Sequence, residues 1–272
     1  MRRRSASPIE GKLVHSCADE YGPMEIVDEA TVRSLHFGSS ARQSTMFHHD
    51  HDALALVYPR CMMPCLLFGA EPRTALLLGL GGGSLPKFLR RHFPGCQLDV
   101  VELRPMVVEL ARRYFHFEEH SCTNVHITDA GRYLEKELPA SLDLILVDIH
   151  NADGMAQAVG EPGFFAACHR LLRGRGTLVI NLFSGDREGF FRRVTQGLEE
   201  VFEEQVLYLP VARKRNCIAL AFCHPLSGGL LQSLPRRAAE LGSRYGIEFP
   251  DLLRELQKAN RVLCHLDASE AR

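Results

Sequence analysis

Thr74-Ala75-Leu76-Leu77-Leu78-Gly79-Leu80-Gly81-Gly82-Gly83-Ser84 is the stretch from which the rest of the chain is read. Four of its first five residues are apolar, with no polar alternation, as in a strand covered on both faces. The glycines let the backbone turn tightly and let a ligand approach the chain closely. The pattern from Ser84 to about Arg91 is helical. A strand, a glycine turn and a helix in that order put the turn at the carboxyl end of a parallel strand, where ligands bind. A simple tight turn would use the same residues.

Outward from this stretch the pattern repeats. Strands are expected at Gln97–Val101, Val125–Ile127, Leu142–Val147 and Thr177–Leu182. A helix starts near Pro105, a favoured first-turn residue, and buries Val107, Leu110, Ala111 and Tyr114. Another runs from about Gly163 to Leu172 and ends at Gly174. Two β-rich runs, Gln205–Val211 and Asn216–Phe222, flank Ala212-Arg213-Lys214-Arg215 and should form an antiparallel hairpin. Alternating β and α units imply an α/β fold, a parallel sheet with helices on both faces. Upstream, short β runs at Lys12–His15, Met24–Val27 and Val32–Leu35 surround the turn signal Tyr21-Gly22-Pro23. A polar, His-rich stretch runs from Ser44 to Asp52, and Ala53–Phe68 reads as a helix. Downstream of 225 the spacing of Leu252, Leu253, Leu256, Ala259 and Val262 is helical.

Composition narrows the class. The chain has 272 residues, 46% of them hydrophobic and 24% charged, which suits a globular core. A net charge of −1 argues against non-specific nucleic-acid binding. No apolar run approaches the ~20 residues that span a bilayer, so no membrane partner is expected. Basic Met1-Arg2-Arg3-Arg4-Ser5 lacks a following apolar core, so secretion is not expected. Nine cysteines without a C-x-x-C pair read as small core residues in a reducing cytoplasm, with no disulfide framework.

Acids stand at three further strand ends. Glu102 lies 23 residues after Gly79, where a carboxylate can accept both hydroxyls of a ribose. Asp129, followed by Ala130, can accept an adenine amino group. Asp148 closes the fourth strand. Each alone is also an ordinary strand-end acid; in series they point to a nucleoside across the strand tips. Dinucleotide binding fits less well, because the third glycine of its fingerprint would be Ser84.

The closing hairpin matches the seven-stranded sheet of S-adenosylmethionine-type transferases. Within that class, Leu80-Gly81-Gly82-Gly83, Val101-Glu102, Thr128-Asp129-Ala130 and Leu144-Ile145-Leu146-Val147-Asp148 together resemble the spermidine synthase (polyamine aminopropyltransferase) family, over about residues 35–222. The resemblance implies a Rossmann-like seven-stranded sheet with a small N-terminal β unit and lid segment at 1–60, a nucleoside-binding catalytic domain at 61–224 and a helical tail at 225–272. It implies transfer of an aminopropyl group from decarboxylated S-adenosylmethionine to a polyamine such as putrescine, releasing methylthioadenosine. Gln43, Gly79, Gly81, Gly83, Glu102, Leu103, Asp129 and Ala130 would hold the donor. Asp148 would position or deprotonate the amine, and Tyr58, Ser84, His150, Asn151 and Asp153 would line the acceptor site. No metal is implied, and the N-terminal unit suggests a homodimer.

The chain departs from the family pattern at charged positions. Ser84 stands where the family has Asp after the glycines. Asp148-Ile149-His150-Asn151-Ala152 replaces Asp-Ser-Ser-Asp-Pro, and Pro59 follows Tyr58. Either Asp153, Glu161 or the Asp50/Asp52 segment substitutes for the missing acids, or the acceptor is less cationic, or the donor is S-adenosylmethionine with its carboxylate retained. A methyltransferase and a non-catalytic nucleoside-binding homologue are the alternative functions. His48-His49-Asp50-His51-Asp52 reads as a solvated lid rather than a zinc site. Arg213-Lys214-Arg215 reads as a solvated hairpin tip, with phosphate binding as its alternative.

Overall fold

The computed structural model describes residues 10–69, 71–136, 139–151, 154–184, 189–203 and 205–260. It begins with an antiparallel meander of β1 (Lys12–Asp19), β2 (Gly22–Asp28), β3 (Val32–His36) and β4 (Arg42–Phe47), hydrogen-bonded in sequence order. Two short helices follow, α1 (Val57–Met62) and α2 (Cys65–Phe68). The α/β body then runs β5 (Thr74–Leu78), α3 (Ser84–His92), β6 (Gln97–Glu102), α4 (Pro105–Tyr114), β7 (Thr123–Ile127), α5 (Ala130–Leu134) and β8 (Leu142–Val147). After a two-residue ribbon of β9 (His150–Asn151) and β10 (Gly154–Met155) come α6 (Phe164–Leu171), β11 (Leu172–Phe183), α7 (Phe190–Val201), β12 (Val206–Pro210) and β13 (Asn216–Phe222). The helices α8 (Gly228–Tyr245) and α9 (Phe249–Ala259) close the described chain.

The large sheet has seven strands in the order β12-β13-β11-β8-β5-β6-β7. β13 is antiparallel to both β11 and β12, so the expected hairpin is present and its tip lies at the carboxyl end of β11. Alternation along each strand feeds two cores. Ala75, Leu77, Leu144 and Leu146 face α1, α2, α3, α8 and α9, while Leu76, Leu78, Ile145 and Val147 face α5, α6 and α7. The small sheet packs Met24, Ile26, Leu35 and Met46 on Val107 and Leu110 of α4. None of the described helices is long and apolar enough to cross a membrane.

The structure refines two local readings. Ser44–Phe47, noted from sequence only as polar, belongs to the last strand of the meander, with Ser44, Thr45 and Met46 buried. Its polar side chains are tolerated because they find partners: Thr45 Oγ1 lies 3.1 Å from Ser34 Oγ across the ladder. Ala53–Phe68 is not one helix. The helix begins at Val57, and Pro64, which has no N–H to donate, separates α1 from α2.

Candidate active site

The strand order reverses at β5, which pairs with β6 on one side and β8 on the other. A crevice opens at such a switch point, beyond the carboxyl ends of the strands. Register makes those ends level: Leu78 is opposite Val101 and Val147, and Glu102 is opposite Ile127. The residues that follow, Gly79, Leu103, Asp129 and Asp148, therefore open into one cleft of about 1170 Å³. That is somewhat above the roughly 300–1,000 Å³ of ordinary small-molecule sites and has room for two substrates side by side.

The cleft floor depends on Gly79. Its φ is +96°, and a Cβ there would lie 2.3 Å from the carbonyl oxygen of Asp148. Only glycine meets both demands. The glycine turn consequently presses against the residue that ends β8, and Asp148 N–H donates to Leu78 O at 2.8 Å.

Glu102 is 8% exposed. Its Oε2 accepts from Leu80 N–H at 2.9 Å and its Oε1 from Arg104 N–H at 3.0 Å. Burial pushes its carboxyl above the usual range, while the backbone donors at Arg104 and Leu80 oppose that. Each oxygen retains acceptor capacity beyond its one backbone donor, as a pair of ribose hydroxyls requires. Asp129 is the N-cap of α5, its Oδ1 accepting from Arg132 N–H at 3.1 Å. Gln43, Leu103 and Ala130 also line the cleft, and Ala130 is buried.

Asp148 is held on both oxygens. Tyr58 Oη lies 2.9 Å from Oδ2, and Asn181 Nδ2 donates to Oδ1 at 2.9 Å. Asn181 Oδ1 in turn accepts from Asn216 Nδ2 at 2.9 Å. The Tyr58 hydroxyl is also 3.2 Å from Gln43 O. Burial and then the Asp148 charge push that phenol well above its ordinary value, so it stays a donor. His150 Nδ1 lies 3.5 Å from Asp148 Oδ1, and its Nε2 is buried without a hydrogen-bond partner among the described residues.

Tyr58, Asp148 and His150 thus converge. Ser84 lines the cleft, but its hydroxyl is engaged by the small sheet, 3.3 Å from Ser44 Oγ and 3.4 Å from Thr45 O. Asn151 lies on β9, and Asp153 is outside the described residues. The acids offered as substitutes separate: Asp50 pairs with Arg91 at 2.7 Å and Asp52 with Arg90 at 3.4 Å. Neither lines the cleft. The contacts of His48–Asp52, read from sequence as a solvated lid, run to neighbouring elements. His48 reaches Glu29 O, His51 stacks on His116 at 3.9 Å, and Arg90, Arg91 and Lys87 of α3 bind the segment at Asp52, Asp50 and His51 O. Arg213, Lys214 and Arg215, read from sequence as a solvated tip, are exposed but line the cleft.

Sequence reasoning missed two site residues. Asn181 carried a signal, being a polar residue inside the apolar run Thr177–Leu182. Arg104 carried none. It is 7% exposed, forks onto Asp19 at 2.8 and 3.0 Å, and lies 4.6 Å from the Phe37 ring centroid, closing the cleft with the small sheet.

Residues 56–207 match the spermine/spermidine synthase domain family. A polyamine aminopropyltransferase of Chromobacterium violaceum is 35% identical over 92% of this chain and 95% of its own. A spermidine synthase solved with the transition-state analogue AdoDATO superposes with a TM-score of 0.70 at 14% identity, over 94% of this chain and 88% of that one, a likeness of fold. Human methyltransferase-like protein 13, solved with SAH, is 27% identical with a TM-score of 0.61, over 70% of this chain and 92% of that one.

Proposed function

The chain is a transferase of the spermine/spermidine synthase family, and we propose that it moves an aminopropyl group from decarboxylated S-adenosylmethionine to a polyamine such as putrescine, through a primary amine of that acceptor. The arrangement that carries this reading is Asp148, fixed by Tyr58 and Asn181 beside the glycine turn and level with Glu102. Glu102 takes the ribose hydroxyls, Asp129 the adenine edge, and Leu103 and Gln43 close over the nucleoside. Its sulfonium supplies a carbon that is already activated toward displacement.

What remains for the protein is alignment and one proton. A primary amine has a pKa near ~10 by analogy with lysine and is protonated at neutral pH. It must shed a proton before its lone pair can attack. Asp148 accepts the N–H at the cleft face of its carboxylate, while Tyr58 and Asn181 prevent the group from rotating away. The lone pair then forms the C–N bond, the C–S bond breaks, and its electrons return to sulfur to give neutral methylthioadenosine. Holding both reactants in line is the larger contribution, since sulfonium is a good leaving group.

Asp148→Asn keeps the shape and removes the acceptor charge. Methylthioadenosine release should fall by about 10²–10⁴-fold, the usual range for a positioned acid or base, with calorimetric affinity for methylthioadenosine unchanged. Full activity in that variant would refute the assignment. The likeness to a methyltransferase-fold protein bound to SAH supports a second reading, methyl transfer from S-adenosylmethionine, in which S-adenosylhomocysteine would be the nucleoside product.

A further inference from the structure

Asn181 is a polar side chain near the end of β11, 3% exposed in an otherwise apolar run. Parallel pairing sets Ile180 opposite Val147, so Asn181 comes level with Asp148, the residue after β8. Across the antiparallel ladder, Asn181 is opposite Ile218 and Phe183 is opposite Asn216. Asn216 is therefore two positions from the partner of Asn181 and on the same face, a diagonal that longer side chains can span. The three residues form one chain: Asn216 Nδ2 donates to Asn181 Oδ1, and Asn181 Nδ2 donates to Asp148 Oδ1, each at 2.9 Å. The backbone under Asn216 is itself fixed. Val211 N–H donates to Asn216 O at 2.9 Å, and Ser184 donates to Arg215 O from its N–H at 2.8 Å and its hydroxyl at 2.9 Å.

A side-chain amide has nearly the same shape at both ends and opposite polarity. While Asp148 is a carboxylate, its charge alone holds the N–H end of Asn181 toward it. Once Asp148 has taken the amine's proton, that hold is gone. An unrestrained Asn181 would turn its carbonyl oxygen to the new O–H and trap the proton there. Asn216 opposes the turn, because a turned Asn181 would set Nδ2 against Nδ2 and leave both donors without an acceptor.

Resting on the transfer reaction above, we propose that Asn216 is a positioning residue that locks the Asn181 amide as a donor to Asp148 through the whole proton cycle. The proton moves from the ammonium nitrogen to the Asp148 carboxylate and then to water in the open cleft. The C–N and C–S bond changes are those already given. With Asn181 held as a donor, the charged form of Asp148 is favoured before and after the transfer, so the acid is ready for the next amine.

A double-mutant cycle on Asn181 and Asn216 tests this. Asn216→Leu keeps the size of the side chain and removes the donor. We expect kcat for methylthioadenosine release with putrescine to fall about tenfold, KM for putrescine to rise less than about threefold, and affinity for methylthioadenosine to stay unchanged. The acidic limb of kcat/KM should move to higher pH, because a turned Asn181 accepts from protonated Asp148 and favours that form. Tyr58 and His150, the other titratable side chains described against Asp148, are unaltered in this variant. Asn216→Asp, which sets an acceptor where the donor was, should lower kcat at least as far. In an Asn181→Leu background, Asn216→Leu should cost nothing further. Unchanged kcat and pH profile in Asn216→Leu, or a loss that recurs in full in that background, overturns the proposal. So does a loss in KM alone, which would put Asn216 on the amine itself. The same cycle, read as calorimetric affinity of methylthioadenosine-loaded protein for putrescine, needs no turnover. If wild type releases no methylthioadenosine yet the two asparagines are coupled in that titration, the transfer reaction fails and the positioning stands. Turnover with additive losses gives the reverse.

Discussion

Lys87, one turn into α3, is 1% exposed and its ammonium donates to His51 O and Phe115 O, each at 2.7 Å. It fastens the segment after β4 and the end of α4 to the helix that follows the glycine turn. Burial pushes its pKa down to about 8; Asp52 and Asp50 pull it back up and Arg90 pushes it further down. The unfolded chain therefore holds a proton that the native state has shed between about pH 8 and 10.5. Stability from this group rises with pH across that window, because the unfolded state binds more protons there. Urea denaturation at pH 7, 8, 9 and 10 should show wild type gaining about 2–3 kcal/mol relative to Lys87→Met by pH 10. A constant difference between the two proteins would show that the lysine does not titrate there.

Among the elements, the glycine turn and the strands beside it are the most constrained. Gly79→Ala places a methyl group against the Asp148 carbonyl and imposes an unfavourable φ on alanine. We expect a loss of about 2–4 kcal/mol in stability, with methylthioadenosine affinity falling as Asp148 is displaced. Gly95, whose Cβ would meet nothing within 4 Å, is the control: Gly95→Ala should change neither. The strands that carry the site were legible because they are buried on both faces. β5 and β8 occupy the residues expected of them, since an uninterrupted apolar run has few other uses. β4 was hidden because Ser44 and Thr45 are polar, and a polar residue can be buried wherever a partner from another element satisfies it. The division between α1 and α2 carried its signal in Pro64, which the apolar spacing around it masked.

At the scale of the whole molecule, the cleft is closed by two sheets that meet at Arg104. Its guanidinium forks onto Asp19 and donates to Gly22 O at 3.1 Å, between the rings of Tyr21 and Phe37. Burial opposes the charge on Asp19, but the Arg104 guanidinium holds its carboxyl below the usual range. Removing one partner strands the other. Arg104→Met should cost about 3 kcal/mol, near the lower end for a broken buried pair because Asp19 is partly exposed. It should also weaken nucleoside binding more than amine binding, as the loosened sheet carries Gln43. Thermal denaturation and methylthioadenosine titration measure the two effects; unchanged nucleoside affinity would mean that the small sheet does not cover the donor.

By itself the sequence determined the strands β5, β6, β7, β8, β11, β12 and β13 of the large sheet, the glycine turn, and the strand-end acids Glu102, Asp129 and Asp148, because each is written in neighbouring residues as a run of apolar side chains or a fixed place after one. Tertiary structure alone decided which distant residues share the cleft. Tyr58 and Asn181 meet on Asp148 across 90 and 33 positions, and the basic hairpin tip borders the same cleft. The tip is set there by antiparallel pairing of β13 with β11, a register fixed by both faces of the sheet at once and by no local run of residues.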